Sequence, residues 1–290
     1  MRSVSRFRKV FAALAVVAFG LAAWVGVSIL TLPSVAPLAR PGASMTITVK
    51  DWHRKDHRFV VGPKNPRWTP YRAIPAALKK AVVASEDANF YSHEGVDYEA
   101  IGEAIKTDWR KGKFVHGGST ITQQLAKNLF LTREKTLIRK VKEFVLARRM
   151  DDALSKSRIL ELYLNVVELG PMVYGVGHAA HYYFGKHPSA LTVRECAFLA
   201  SMLPGPKIYN PYRKMGRVMQ RSDRILRRMA AARMISREEY DAALSEVPNL
   251  AGLERKVEKT LEVPPPQSGS EEDSAPERPD ADGSPGPPVR

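Results

Sequence analysis

The stretch SEDANFYSHEGVD, residues 85–97, decides how the rest of the chain is read. It begins where an apolar helical pattern ends: Pro75 suits a first helical turn, and Leu78, Val82 and Ser85 follow at helical spacing. Glu86 falls one position beyond that face, so a helix end would hold its carboxylate against the domain body. Apolar walls raise a carboxyl pKa toward the range useful to a general base. A solvated helix end with His93 as a cap is the alternative that spacing alone leaves open.

Toward the C-terminus the patterning stays helical. Asp97 is placed to cap a helix carrying Ile101 and Ile105 on one face. Gly117-Gly118 then breaks the chain, and Thr120 with Gln123 has capping-box spacing before a helix to Leu129. Ser119 and Thr120 would sit at that helix's N-terminus, where free N–H groups favour an anion such as phosphate. Thr120, Gln124 and Lys127 line one helical face with Gln123 and Asn128 beside it, which suggests a cleft wall; an ordinary amphipathic helix is the alternative. The glycine spacing and terminal Lys-Ser/Thr of a P-loop are missing.

Thr132 is expected to open a long helix through Leu137, Val141, Phe144 and Ala147. Within it Arg139 and Glu143 are i, i+4, by default a surface pair worth a few tenths of a kcal/mol. The functional alternative has Arg139 and Lys140 bind phosphate while Glu143 helps carry a divalent metal. Residues 156–165 and 174–186 read as packing helices, with Glu161 and Asn165 buried and hydrogen-bonded; His178 and His181 lack a third metal ligand at suitable spacing. Thr192 with Glu195, and Ser236 with Glu239, are two further capping boxes. Cys196, the lone cysteine, reads as a small buried hydrophobe. Neither strand–helix alternation nor an internal repeat is visible, so the body is mainly α.

Toward the N-terminus, residues 33–70 carry six prolines and read as a linker with an extended segment over Met45–Val49. Residues 10–32 are 23 uncharged residues in a row, long enough for the roughly 20 that span a bilayer and too long for a signal-peptide core. Arg2, Arg6, Arg8 and Lys9 precede them, which places the N-terminus in the cytoplasm and the remainder outside. The expected organisation is a cytoplasmic basic segment (1–9), a transmembrane anchor (10–32), a linker (33–70), a globular domain (71–255) and an acidic Pro-rich tail (256–290). The tail's composition cannot offset the entropy of ordering it, so disorder is expected there. From Glu262 onward seven acids oppose two arginines, a net of −5, which leaves +20 on residues 1–261 of a chain whose total is +15. A basic body outside the membrane suits anionic lipids or phosphorylated substrates and excludes nucleic acid as the partner.

Four segments in this order, Glu-Asp-x-x-Phe-x-x-His-x-Gly-x-Asp from Glu86, Gly-Gly-Ser-Thr-Ile-Thr-Gln-Gln from Gly117, Arg-Lys-x-x-Glu from Arg139 and Lys-x-x-Ile-Leu-Glu-x-Tyr-Leu-Asn from Lys156, resemble the peptidoglycan glycosyltransferase family. That family also supplies the first domain of bifunctional penicillin-binding proteins, and the resemblance covers roughly residues 74–211. It implies a mainly helical, lysozyme-like, two-lobed domain behind an N-terminal transmembrane helix. It implies a polymerase of lipid II, with Glu86 as general base and Glu143 assisting at the pyrophosphate, through a divalent metal (Mg or Mn) or without one. No organic cofactor is implied. Lys127, Arg139 and Lys140 would neutralise the departing diphosphate. Asp87, Phe90, His93, Ser119, Thr120, Gln124 and Asn128 would contact lipid II or the growing glycan. Trp109 and Phe114 fall where the family's small membrane-dipping lobe belongs.

The resemblance also implies single-pass residence in a bacterial cytoplasmic (inner) membrane with the catalytic domain periplasmic, and partners among cell-wall synthesis and division proteins. Ser-x-x-Lys with Ser-x-Asn and Lys-Thr-Gly is not found, so no transpeptidase domain is expected. Two rivals remain: a lytic lysozyme-like enzyme, which has no use for a basic diphosphate site, and an idle membrane-anchored scaffold.

Overall fold

The structure, a computed structural model, describes residues 2–40, 42–51, 53, 55–112, 118–132, 134, 136–203, 205 and 209–252; the side chains of residues 2–10, 13 and 108 are outside that description. Phe114, Gly117 and the acidic tail therefore lie outside the described residues. The fold is mainly helical, as the periodicity requires.

α1 (Arg2–Leu30) runs unbroken for 29 residues. Among the described residues no helix is long and apolar enough to cross a membrane, so the expected anchor over 10–32 rests on the sequence and not on the fold. Next comes an antiparallel hairpin, β1 (Met45–Lys50) with β2 (Asp56–Val61), in register from Met45 opposite Val61 to Lys50 opposite Asp56. β1 forms the extended segment expected over Met45–Val49, and Val35, Leu38, Ile47 and Val61 are buried in the common core, so parts of 33–70 pack against the domain where a free linker was expected. Asn165 holds its end down, accepting from the Thr69 N–H and donating to the Thr69 carbonyl, both at 2.8 Å. Glu161 accepts from the Tyr71 N–H at 3.1 Å.

The core is built around α8 (Val193–Ser201), which is buried nearly all round and is thereby a central helix. It is flanked by α2 (Ala76–Glu86) and α9 (Pro211–Ala231), which also touch one another. Cys196 sits fully buried in α8, where burial pushes its thiol far above the ordinary range. A second layer joins α4 (Ile121–Phe130), α5 (Leu137–Ala153) and α6 (Lys156–Val166). α3 (Tyr98–Lys111) lies between α2 and α4 in sequence and has no fully buried residue among those described. A short hairpin, β3 (Glu168–Gly170) with β4 (Val173–Tyr174), leads into α7 (Val176–Phe184), and α10 (Arg237–Ser245) closes the described body.

Local stop and start signals hold. Asp97 accepts from the Ala100 N–H at 2.8 Å at the start of α3, and the three expected capping boxes at Thr120, Thr192 and Ser236 all form. The long helix α5 begins later than expected, capped by Thr136 and not opened by Thr132. Both threonines offer a hydroxyl, and α5's first apolar contacts with the body come only after Leu137, so nothing rewards an earlier start.

Candidate active site

Glu86 is the last residue of α2, and the chain turns away at Asp87, so the carboxylate projects off the helix end toward α4 and α9. Its side chain is only 10% exposed. Gln124 of α4 donates through Nε2 to one carboxylate oxygen at 3.1 Å, and Arg221 of α9 donates through Nη2 to the other at 3.3 Å. Burial holds the Glu86 pKa above the ordinary glutamate value; the bond from Gln124 and the Arg221 charge offset part of that rise. Gln124 is itself oriented from behind, its Oε1 accepting from the Tyr163 hydroxyl of α6 at 3.0 Å. Burial, with the Glu86 and Asp87 carboxylates nearby, pushes the Tyr163 phenol well above its ordinary range, so it stays a donor.

Asp87, the neighbouring carboxylate, does a different job. Its oxygens face His93 Nε2 at 3.0 Å, and Oδ2 accepts from the Ile121 N–H at 2.9 Å, tying the end of α2 to the start of α4. Phe90 is fully buried, and the Lys156 ammonium sits 5.0 Å from its ring while donating to the His93 carbonyl. Thr120 is buried too, donating to the Gly95 carbonyl at 2.7 Å and capping α4. The fold thus places Asp87, Phe90, His93 and Thr120 in the wall behind the site; the polar groups of Asp87 and Thr120 are engaged by the protein, while His93 uses Nε2 and leaves its buried Nδ1 without a partner.

A second cluster gathers around Glu143 of α5, whose buried carboxylate accepts from Arg139 at 2.6 Å and from Lys140 at 2.5 Å. The Lys140 ammonium also reaches the Ser119 hydroxyl at 2.8 Å. Two cations against one acid leave the cluster net positive. α4 joins both clusters: Ser119 precedes its cap and touches Lys140, while Gln124 touches Glu86 one turn further, about 6 Å along the axis. Lys127 is exposed on the same helix and Asn128 is half-buried.

Motif reading overlooked Arg221. It lies outside the four segments, on a helix with seven Lys or Arg in 21 residues, and its signal was that density of charge on an apolar-backed helix. Both Glu143 oxygens are taken by cations, and among the described residues no three His, Cys, Asp or Glu gather, so a metal at Glu143 would have to displace Arg139 or Lys140. His178 packs against Tyr182.

A largely buried carboxylate and a cationic cluster, both touched by the α4 segment, suit transfer to a hydroxyl nucleophile with an anionic leaving group. The protein comparisons agree with that chemistry. A family model described as Transglycosylase matches residues 56–230. The biosynthetic peptidoglycan transglycosylase of Herminiimonas arsenicoxydans is 46% identical over 181 residues, covering 60% of this chain and 78% of that one. The protein of the same name from Paraburkholderia xenovorans is 50% identical over 167 residues, covering 58% and 70%. Penicillin-binding protein 1A of Aquifex aeolicus is 47% identical over 173 residues, 60% of this chain but only 24% of its own. The crystal structure of penicillin-binding protein 1A from Haemophilus influenzae covers 75% of this chain and 24% of that one at 24% identity and a TM-score of 0.39, too loose to bear on the fold. With the family model spanning more than half of its length, this chain belongs to the transglycosylase family.

Proposed function

We propose that this chain is a peptidoglycan glycosyltransferase that polymerises lipid II, with Glu86 as the base. Glu86 removes the proton from the 4-hydroxyl of the acceptor's N-acetylglucosamine, and that oxygen attacks the anomeric carbon of the lipid-bound donor. The new glycosidic bond forms as the anomeric carbon–phosphate oxygen bond breaks. Configuration inverts, and the electron pair leaves with undecaprenyl pyrophosphate. Lys140 and Arg139, held by Glu143, meet the diphosphate charge as it develops, with Lys127 on the same side of α4; Ser119, Gln124 and Asn128 face the sugars. Such preplaced cations act most strongly where water is excluded. Asp87, Phe90, His93 and Thr120 act through the wall they form.

The observation that carries this reading is Glu86 itself, buried, raised in pKa and held between Gln124 and Arg221. A lytic enzyme would have no use for the Arg139–Lys140–Glu143 cluster.

The membrane part of the proposal is that residues 10–32 anchor the chain in the cytoplasmic membrane, N-terminus inside and catalytic body in the periplasm. Its support is the 23-residue uncharged run behind four cations, carried on a helix that exposes Phe11, Leu14, Val16, Phe19 and Leu30. α3, with Trp109 87% exposed and Ile105 beside it, suits the interfacial lobe.

The test is turnover of labelled lipid II by detergent-solubilised protein, wild type beside Glu86→Gln. Polymer from the wild type and a rate lower by about 10²–10⁴ in the variant is expected, the usual contribution of a general base. Equal polymer from both removes Glu86 from its role; none from a folded, lipid-bound wild type removes the reaction.

A further inference from the structure

α9 carries a charge that the reaction does not use up. Its buried stripe of Val218, Ile225, Leu226 and Met229 packs on the body, which turns Arg213, Lys214, Arg224, Arg227 and Arg228 outward, all exposed. The helix has one acid, Asp223, and that is engaged by Arg194 at 2.5 Å. Arg221, at the inner edge of the same face, lines a small cleft with Arg224 and Arg228. Cations repeated at i, i+3 and i+4 repel one another, so such a face calls for a polyanion.

The chain carries one of its own. Residues 262–290 hold seven acids, three of them consecutive at 271–273, against two arginines. The described body ends against α7: Gly252 lies so close to the Tyr182 carbonyl that a Cβ would sit 2.3 Å from it. The Tyr182 hydroxyl in turn accepts from Tyr212, in the first turn of α9, at 3.0 Å. The ten residues from 253 to 262 span at most about 33–36 Å, at ~3.3–3.6 Å for each residue of a fully extended chain. α9 kinks at Lys214, whose backbone is non-helical, and the run beyond it, residues 215–231, is about 26 Å long, within reach of acids some twenty residues past Gly252. Tethering supplies an effective concentration of order millimolar, enough for ionic contacts too weak to hold a separate peptide.

We propose that the acidic segment 262–290 docks on the exposed arginine face of α9, beside the Glu86 site. Docked there, it screens the face from other polyanions, anionic lipid headgroups above all.

The experiment uses the full-length protein in detergent with cysteines placed at Gln220→Cys, exposed on α9, and Ser274→Cys, in the acidic run; Cys196 is buried and does not compete. Intramolecular disulfide formation at 50 mM salt is expected to be at least tenfold faster than at 0.5 M. It is expected to fall by a similar factor when the seven acids are replaced by their amides, or when Arg224, Arg227 and Arg228 are changed to Glu in a protein still helical by circular dichroism. Equal rates with acidic and amide tails, or rates indifferent to salt, overturn the proposal. So does a fluorophore at 220 that is shifted equally by phosphatidylglycerol vesicles whether the tail is acidic or neutralised, for then lipid takes the face unopposed. Polymerase activity is not read, so these outcomes are independent of the reaction assigned above.

Discussion

Glu86, Gln124 and Tyr163 form a chain in which each group fixes the next. The Tyr163 hydroxyl donates to the Gln124 carbonyl oxygen, which leaves the Gln124 amide nitrogen pointing at Glu86. Tyr163→Phe removes the only part of that side chain that orients the amide. It leaves a buried acceptor short of a partner, at a cost of about 1–3 kcal/mol. With the bond that lowers the Glu86 pKa weakened, burial prevails further, and the acid limb of the kcat/KM profile is expected to move to higher pH. A loss of stability with an unmoved acid limb would make Tyr163 a packing residue only. Glu86 also makes a stability prediction. Its folded-state pKa lies above the unfolded value, so the folded protein binds more protons, and its ionised form opposes folding as pH rises through that raised pKa. Glu86→Gln is therefore expected to melt higher than wild type at neutral pH. The gain should shrink to nothing as pH falls below the ordinary glutamate range, by calorimetry across pH. The opposite sign would mean that the Arg221 attraction outweighs burial. Such a stable but inactive variant is what a residue held for chemistry produces.

At the scale of elements, the site depends on α2 ending where α4 begins. Asp87 makes that junction, bonded to His93 and to the Ile121 N–H, with Thr120 reaching Gly95 alongside. Asp87→Ala is expected to destabilise by about 1–3 kcal/mol, because it leaves the Ile121 N–H and the His93 ring without their buried partner. It should also lower polymerisation, since Gln124 moves with α4; chemical denaturation and turnover read the two together. Thermal stability within 1 kcal/mol of wild type would show that the junction is held by other contacts. Sequence reading recovered this level well, because caps are local: Asp97, Thr120, Thr192 and Ser236 each act on N–H groups within three residues. It failed at Thr136 against Thr132, where two hydroxyls four residues apart compete and the decision lies in where α5 first meets the body. Over 33–70 it recovered the extended segment, which forms β1, and missed the packing: the prolines signalled a linker, while Asn165, 96 residues away, bonds Thr69 and pins the end of the segment down.

The whole molecule divides its charge: a basic body, an apolar N-terminal helix and an acidic end. Removing residues 263–290 is expected to leave turnover intact, because every side chain assigned to the reaction lies before Val263; lost turnover in a truncated, folded protein would refute this. The structure alone joined Arg221 to Glu86 across 135 residues of chain, since no spacing rule relates two helices whose contact is made by the core between them. It alone showed that Asp87 and Thr120, which motif position offered as substrate contacts, spend their oxygens on the protein. What the sequence determined by itself was the helical class, the caps, the order of the four motifs and the sign of the charge, all properties of residue type at short range. What only the tertiary structure decided was which of those residues face one another and which face inward. Burial and partnership between distant elements arise when the chain closes on its core, and no local pattern records them.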